Sequence, residues 1–215
     1  MLNHPASEFD RQVDVLSERI RNNAFRYDLY KLQEQTADLR AQICELDTGQ
    51  DVREGNIPVV IVFRMQVASY SDLLSQLRYK GHEGYVEMTP KTPESFVDVD
   101  SLAIPEVDIY ALWDVDTGGS MLNVSPSDSV DMLESKGRTP LTMYEGVQCV
   151  LAIPEILTDK QQFNAIQMPG SRIGGDQRVP SIWISKGAPR LGWCWFGNIH
   201  TWLATASCKS RVQAV

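Results

Sequence analysis

The chain has 215 residues, 43% hydrophobic and 22% charged, which excludes a disordered, collagen-like or coiled-coil protein as the main architecture. Its formal net charge of −8 argues against duplex nucleic acid as a partner, and no stretch approaches the roughly 18 apolar residues of a membrane-crossing helix. Four widely spaced cysteines without a CxxC pair point to free thiols, and the opening MLNHPASEFD has neither the basic nor the apolar region of a secretory leader, so a cytoplasmic protein is expected.

Phe9, Val13, Leu16 and Ile20 recur at helical spacing, with Ser7 as the expected N-cap and Glu8 and Asp10 in the first turn. After an interruption at Asn22–Asn23, a second stripe runs through Phe25, Leu29, Leu32, Leu39, Ile43 and Leu46 to a stop at Gly49. Residues 7–48 therefore read as two helices, or one bent one. They form an N-terminal arm (residues 1–49) ahead of a single α+β domain (residues 50–215). Pro58–Phe63 is a β-branched run of buried-strand type. Residues 70–80 read as a short helix capped by Ser71 and stopped by Gly81, and Gly84–Met88 as a strand. Asp108–Val115 is a second strong strand, ending in the turn Asp116–Gly119. Helices follow at Ser127–Lys136 and Thr142–Leu151. Short strands and turns then occupy 169–176, 179–185 and 191–195, with a strand or short helix from His200 to Ser207. The expected fold class is α+β, a helical arm packed on a mixed or mostly antiparallel sheet.

The densest chemistry lies near the C-terminal end. Residues 170–202 hold six glycines and Trp183, Trp193, Trp195 and Trp202, and from residue 170 onward six Lys/Arg face only one acid, Asp176. Arg172 and Arg178 flank a Gly-Gly-Asp turn, an arrangement that suits an anion held by two guanidiniums and backbone N–H groups. The same residues also read as a hairpin whose arginines pair with the acidic body. Trp193 and Trp195 share one strand face, with Cys194 on the other, and Asn198 and His200 follow. His200 suits an acid or base near neutral pH or a structural hydrogen bond. A Cys194–His200 nucleophile pair is the weaker alternative to a buried, inert thiol. At the end of the second strand, Asp114 and Asp116 are expected on one face as an acid/base pair or as a solvated turn. Glu145, near a helix start, reads either as a cleft acid or as a first-turn acid. Three scattered histidines and no paired cysteines leave no metal site to expect, and no nucleotide or redox fingerprint calls for a cofactor.

Several stretches together resemble a bacterial family known only as a domain of unknown function. They are EFDRQV (8–13), DVDTG (114–118), GRTPLT (137–142) with Glu145-Gly146, GSR (170–172), RVPSIWISKGAPRLGWCW (178–195) and the GN-HTWL stretch of 197–203. The resemblance covers most of the chain and implies one recurring domain, in bacterial genomes rich in specialised metabolism. It implies no mechanism.

Two functional expectations follow from the residues. The first is a cofactor-independent enzyme acting on a small polar metabolite with an anionic group, by elimination, cyclisation, isomerisation or group transfer. Arg172, Asp176, Arg178, Trp193, Trp195 and Asn198 would bind that substrate, while Asp114, Asp116, Glu145 or His200 would move protons. One cleft is expected, with Arg172 or Arg178 opposite Asp114 or Asp116. The second is a non-catalytic binding module, or a partner subunit that associates with its own or another chain through the N-terminal helices.

Overall fold

The computed structural model describes residues 4–47, 56–64 and 67–214. In chain order, helices α1 (Pro5–Arg21) and α2 (Leu29–Asp47) precede strand β1 (Ile57–Phe63) and helix α3 (Tyr70–Ser75). Short strands β2 (Arg78–Tyr79), β3 (His82–Glu83), β4 (Tyr85–Val86) and β5 (Val97–Asp98) lead to β6 (Ile109–Val115). Next come α4 (Pro126–Ser135), β7 (Thr139–Pro140), α5 (Met143–Ala152) and α6 (Glu155–Thr158). The last third is β8 (Ala165–Gln167), β9 (Ser171–Arg172), β10 (Arg178–Ser185), β11 (Ala188–Trp195), β12 (Leu203–Thr205), β13 (Ser207–Cys208) and β14 (Ser210–Val212). The fold is α+β, with mostly antiparallel sheets.

The two strong apolar runs find each other. All seven residues of β1 and all seven of β6 are buried, and the strands pair antiparallel with Val59 opposite Trp113 and Phe63 opposite Ile109. β14 completes this sheet in the order β1-β6-β14, and β12-β8-β10-β11-β4 forms the larger one. Within the larger sheet the β10–β11 hairpin is antiparallel, while the β8–β12 and β4–β11 pairs run parallel.

Among the described residues that leaves one edge of β1 without a neighbouring strand, and side-chain amides fill it. Gln12 of α1 donates to the Val59 carbonyl (2.9 Å) and accepts from the Ile61 N–H (2.8 Å). Gln148 of α5 does the same at Phe63, accepting from its N–H (2.8 Å) and donating to its carbonyl (2.7 Å). Both glutamines are buried, so these bonds replace a strand partner rather than water.

The stripe of α1 is consumed within the chain. Phe9, Leu16 and Ile20 share one continuous core with Leu32, Leu39 and Ile43 of α2 and with β1, β6 and α5. Arg11 and Arg19 donate to the carbonyls of Ala152 and Leu151, satisfying orphan acceptors at the end of α5. The void left between α1 and α5 measures about 10 Å³, room for no more than one water.

Local corrections have local causes. Pro5, with its preset φ, takes the first turn of α1, so Ser7 lies inside the helix rather than capping it. Ser69, not Ser71, caps α3, accepting from the Asp72 N–H. The helix ends at Ser75, short of the predicted residue 80, and Lys80 and Gly81 with positive φ form the turn of the β2–β3 hairpin. The predicted stop at Gly49, and with it the boundary between arm and body, lies outside the described residues.

Candidate functional site

The acids that sequence reading assigned to catalysis are each bound to a structural partner. Asp114 has a left-handed backbone (φ +51) within β6, and its carboxylate is buried. There Arg138 donates to Asp114 Oδ2 (2.6 Å) and to its carbonyl, Asn56 donates to Oδ1 (2.6 Å), and Arg138 Nε reaches Ser207 Oγ (3.0 Å). The pair is buried on both sides. Asp116 closes a turn by accepting from the Gly118 N–H (2.7 Å). Gly118 is required at that turn: its φ is +90, and a Cβ would sit 2.3 Å from the Thr205 carbonyl oxygen.

Glu145 forms a capping box with Thr142 at the start of α5, as its position in the first turn suggests. Its carboxylate is fully buried and held by the Arg211 fork at 2.6 and 2.8 Å, with Tyr110 OH donating to Oε1 at 2.9 Å. Burial opposes the charge on Arg211, but the Glu145 bonds outweigh it and push the guanidinium pKa up. Cys194 is also spoken for: its Sγ accepts from Gln167 (3.2 Å) and Ser181 (3.3 Å), and burial raises its pKa, the opposite of an activated nucleophile. His200 is half-buried, and burial lowers its pKa, so the imidazole is neutral.

Arg172, Asp176, Arg178, Trp193 and Trp195 do converge. The Arg178 guanidinium packs against two neighbouring indoles, 4.6 Å from the Trp193 ring centre and 4.8 Å from that of Trp195. The hairpin register explains this, since Arg178 pairs with Trp195 and Pro180 with Trp193. Arg172 stacks on Phe196 at 3.7 Å and donates to the Asp176 carbonyl. Asp176 accepts from Arg178 Nη1 (2.7 Å) and from Lys91 (3.3 Å). Asn198 is exposed in the following turn, its N–H on the Trp195 carbonyl. The expected pairing of Arg172 or Arg178 with Asp114 or Asp116 is not formed. Among the described residues no hydrogen bond or ion pair joins either arginine to Asp114, Asp116, Glu145 or His200. Asp114 and Glu145 sit at the far ends of bonds that Arg138 and Arg211 already make, and Asp116 is held by its own turn.

The cavity lies elsewhere. A cleft of about 400 Å³ opens between the indoles of Trp183 and Trp202 and the segment from Lys160 to Ala165. Its apolar wall is Leu122, Ile156, Leu157 and Phe163, and its polar rim is Lys160, Gln161, Gln162 and Thr201. Trp183 is fixed in place by what lies beneath it. A Cβ on Gly192 would meet the indole Cη2 at 2.6 Å, so the ring lies across bare backbone, with the Arg190 guanidinium 4.9 Å from it. Trp202 meets Trp183 edge-on at 6.4 Å and is 48% exposed. Asn164 braces the floor, donating to the Thr117 carbonyl at 2.7 Å. Lys160 is the one ionisable group among the lining residues.

A family profile matches residues 22–214, almost the whole chain. The chain belongs to DUF5701. That family is one of unknown function. The cleft, the arginine–tryptophan cluster and both buried ion pairs of this DUF5701 chain all fall inside the matched span, whereas α1 precedes it. No curated protein and no solved structure matches the chain. Among the described residues no group of three His, Cys, Asp or Glu side chains is placed to hold a metal, and no helix is long and apolar enough to cross a membrane.

Sequence reasoning missed the cleft of this DUF5701 domain. Trp183 and Trp202 stood out as rare residues, but they are far apart in sequence, and only the β10–β8–β12 arrangement brings them together. The usable signal was Gly192, placed diagonally across the hairpin from Trp183.

Proposed function

We propose that this domain is a non-catalytic binding module whose cleft takes a small polar molecule with a flat ring and an anionic group. The observation that carries this reading is the lining itself: two tryptophan faces, a polar rim of amides and a single positive charge, with no carboxylate, imidazole or thiol to move a proton. Indole faces suit a planar or sugar-like ring, and amide groups suit its polar edge. Lys160 supplies the attraction for a negative substituent. The volume falls within the range of about 300–1,000 Å³ typical of small-molecule pockets.

What favours binding over turnover is the state of the acids. Asp114 and Glu145 are committed to Arg138 and Arg211, and neither is among the residues lining the tryptophan cleft.

The test is saturation-transfer NMR of the full chain against sugar phosphates, nucleoside monophosphates and aromatic carboxylates. Binding is expected for at least one class, to be lost in Trp202→Ala, and to weaken for the anionic member but not its neutral analogue in Lys160→Met. Binding untouched by Trp202→Ala would overturn the assignment to this cleft. Appearance of a product in the same spectra would restore the enzyme reading.

A further inference from the structure

We propose that Arg172, Arg178 and Lys91 form a second binding site, for a phosphoryl group, which the chain's own Asp176 carboxylate occupies from within. This inference is independent of the tryptophan cleft and uses none of its lining residues.

Charge is the first argument. Two cations contact one carboxylate and a third is bonded to the same residue's backbone: Asp176 Oδ2 takes Arg178 at 2.7 Å and Lys91 at 3.3 Å, while Arg172 spends one N–H on the Asp176 carbonyl at 3.1 Å. In an otherwise acidic chain, this leaves a local surplus of two positive charges.

Unused donors are the second. The Nε atoms of Arg172 and Arg178 are both buried without a partner. Buried N–H groups are normally satisfied, and a guanidinium left with free in-plane donors is suited to a multidentate oxyanion. Burial lowers the Arg172 pKa, as expected for a cation with too few counter-charges.

Preorganisation is the third. Packing on the Phe196 ring and against the Trp193 and Trp195 rings restrains both guanidiniums whether or not an anion is present. The occupant sits on a glycine-containing turn, where Asp176 Oδ1 also accepts from the Arg178 N–H at 2.8 Å. Asp176 follows Gly174 and Gly175, where an added Cβ would meet nothing within 4 Å, and Gly175 has φ +72. Burial works to raise the Asp176 pKa, yet the donors around it hold the group below the ordinary carboxylate range. The site already stabilises a negative charge. A phosphate offers more oxygen acceptors than a carboxylate and so can satisfy Arg172 and Arg178 together.

The experiment titrates inorganic phosphate into the full chain at constant ionic strength set with chloride, reading the Trp193 and Trp195 indole N–H resonances by NMR. A saturable shift is expected in the wild type. Asp176→Asn removes the internal competitor and should lower the phosphate Kd by about tenfold or more. Arg172→Met, in either background, should abolish the saturable shift, and acetate should bind at least about tenfold more weakly than phosphate. A structural ion pair predicts the reverse. Asp176→Asn binding no tighter than wild type, a shift that survives Arg172→Met, or acetate as effective as phosphate would each overturn the proposal. Should Asp176→Asn fail to fold, the comparison of wild type with Arg172→Met still decides it.

Discussion

Replacing Arg211 by methionine should destabilise this protein severely, and the size of the loss follows from what remains around Glu145. The wild-type guanidinium makes two bonds to the carboxylate, one to Thr139 Oγ1 (2.8 Å) and one to the Pro140 carbonyl (3.1 Å). Methionine keeps the length and apolar stem but makes none of them. Glu145, at 0% exposure, keeps only the Tyr110 hydroxyl and the Thr142 N–H as donors. Removing one member of such a buried pair costs about 3–5 kcal/mol, because the other charge is left without water or partner. For a domain of this size each kcal/mol moves Tm by about 2–4 °C, so thermal melts followed by circular dichroism should show a drop of about 6–20 °C. The double variant Arg211→Met/Glu145→Gln should recover most of it, since the glutamine oxygen can accept from the Thr142 N–H while its amide N–H donates to the Tyr110 hydroxyl oxygen, and no charge is left to strand. A single variant within about 0.5 kcal/mol of wild type would refute the reasoning. So would a double variant no more stable than the single one.

Gly192→Ala should displace the Trp183 indole, costing about 1–3 kcal/mol through overpacking and weakening ligand binding in the cleft; unchanged affinity would separate Trp183 from the site. Gln148→Leu should cost about 2–4 kcal/mol in chemical denaturation, because the Phe63 N–H and carbonyl both lose a buried partner. Burial depresses the His200 pKa below its ordinary 6.5, so the unfolded chain binds the proton first as pH falls. His200 therefore contributes its full stability above about pH 6.5 and loses it as pH falls through the lower folded value; His200→Gln should flatten the Tm profile across that window.

How much of this was legible depended on whether the governing interaction was local. β1 is an unbroken apolar run and β6 is one but for Asp114, because both strands are buried along their whole length, and that reads directly from PVVIVF and IYALWDV. The Thr142–Glu145 capping box is a three-residue relation and was equally readable. The roles of Asp114 and Glu145 were not. Their partners Arg138 and Arg211 lie 24 and 66 residues away, and a sequence shows a charge without showing what neutralises it. The left-handed backbone at Asp114 was likewise not legible from the alternation of its strand. The arginine–tryptophan cluster was visible as composition, and the β10–β11 register supplied the contacts.

The way Gln12 and Gln148 close the edge of β1 has a consequence for any shorter form of this chain. A strand reading IPVVIVF is a self-complementary template, and the two amides act as a strand that cannot itself be extended. One of them sits on α1, which lies before the span shared with the family. A chain starting at residue 22 would keep the Gln148 end sealed and open the Val59–Ile61 end. Two such chains are expected to pair there, β1 against β1, and light scattering should find dimers or larger species that restoring residues 1–21 dissolves.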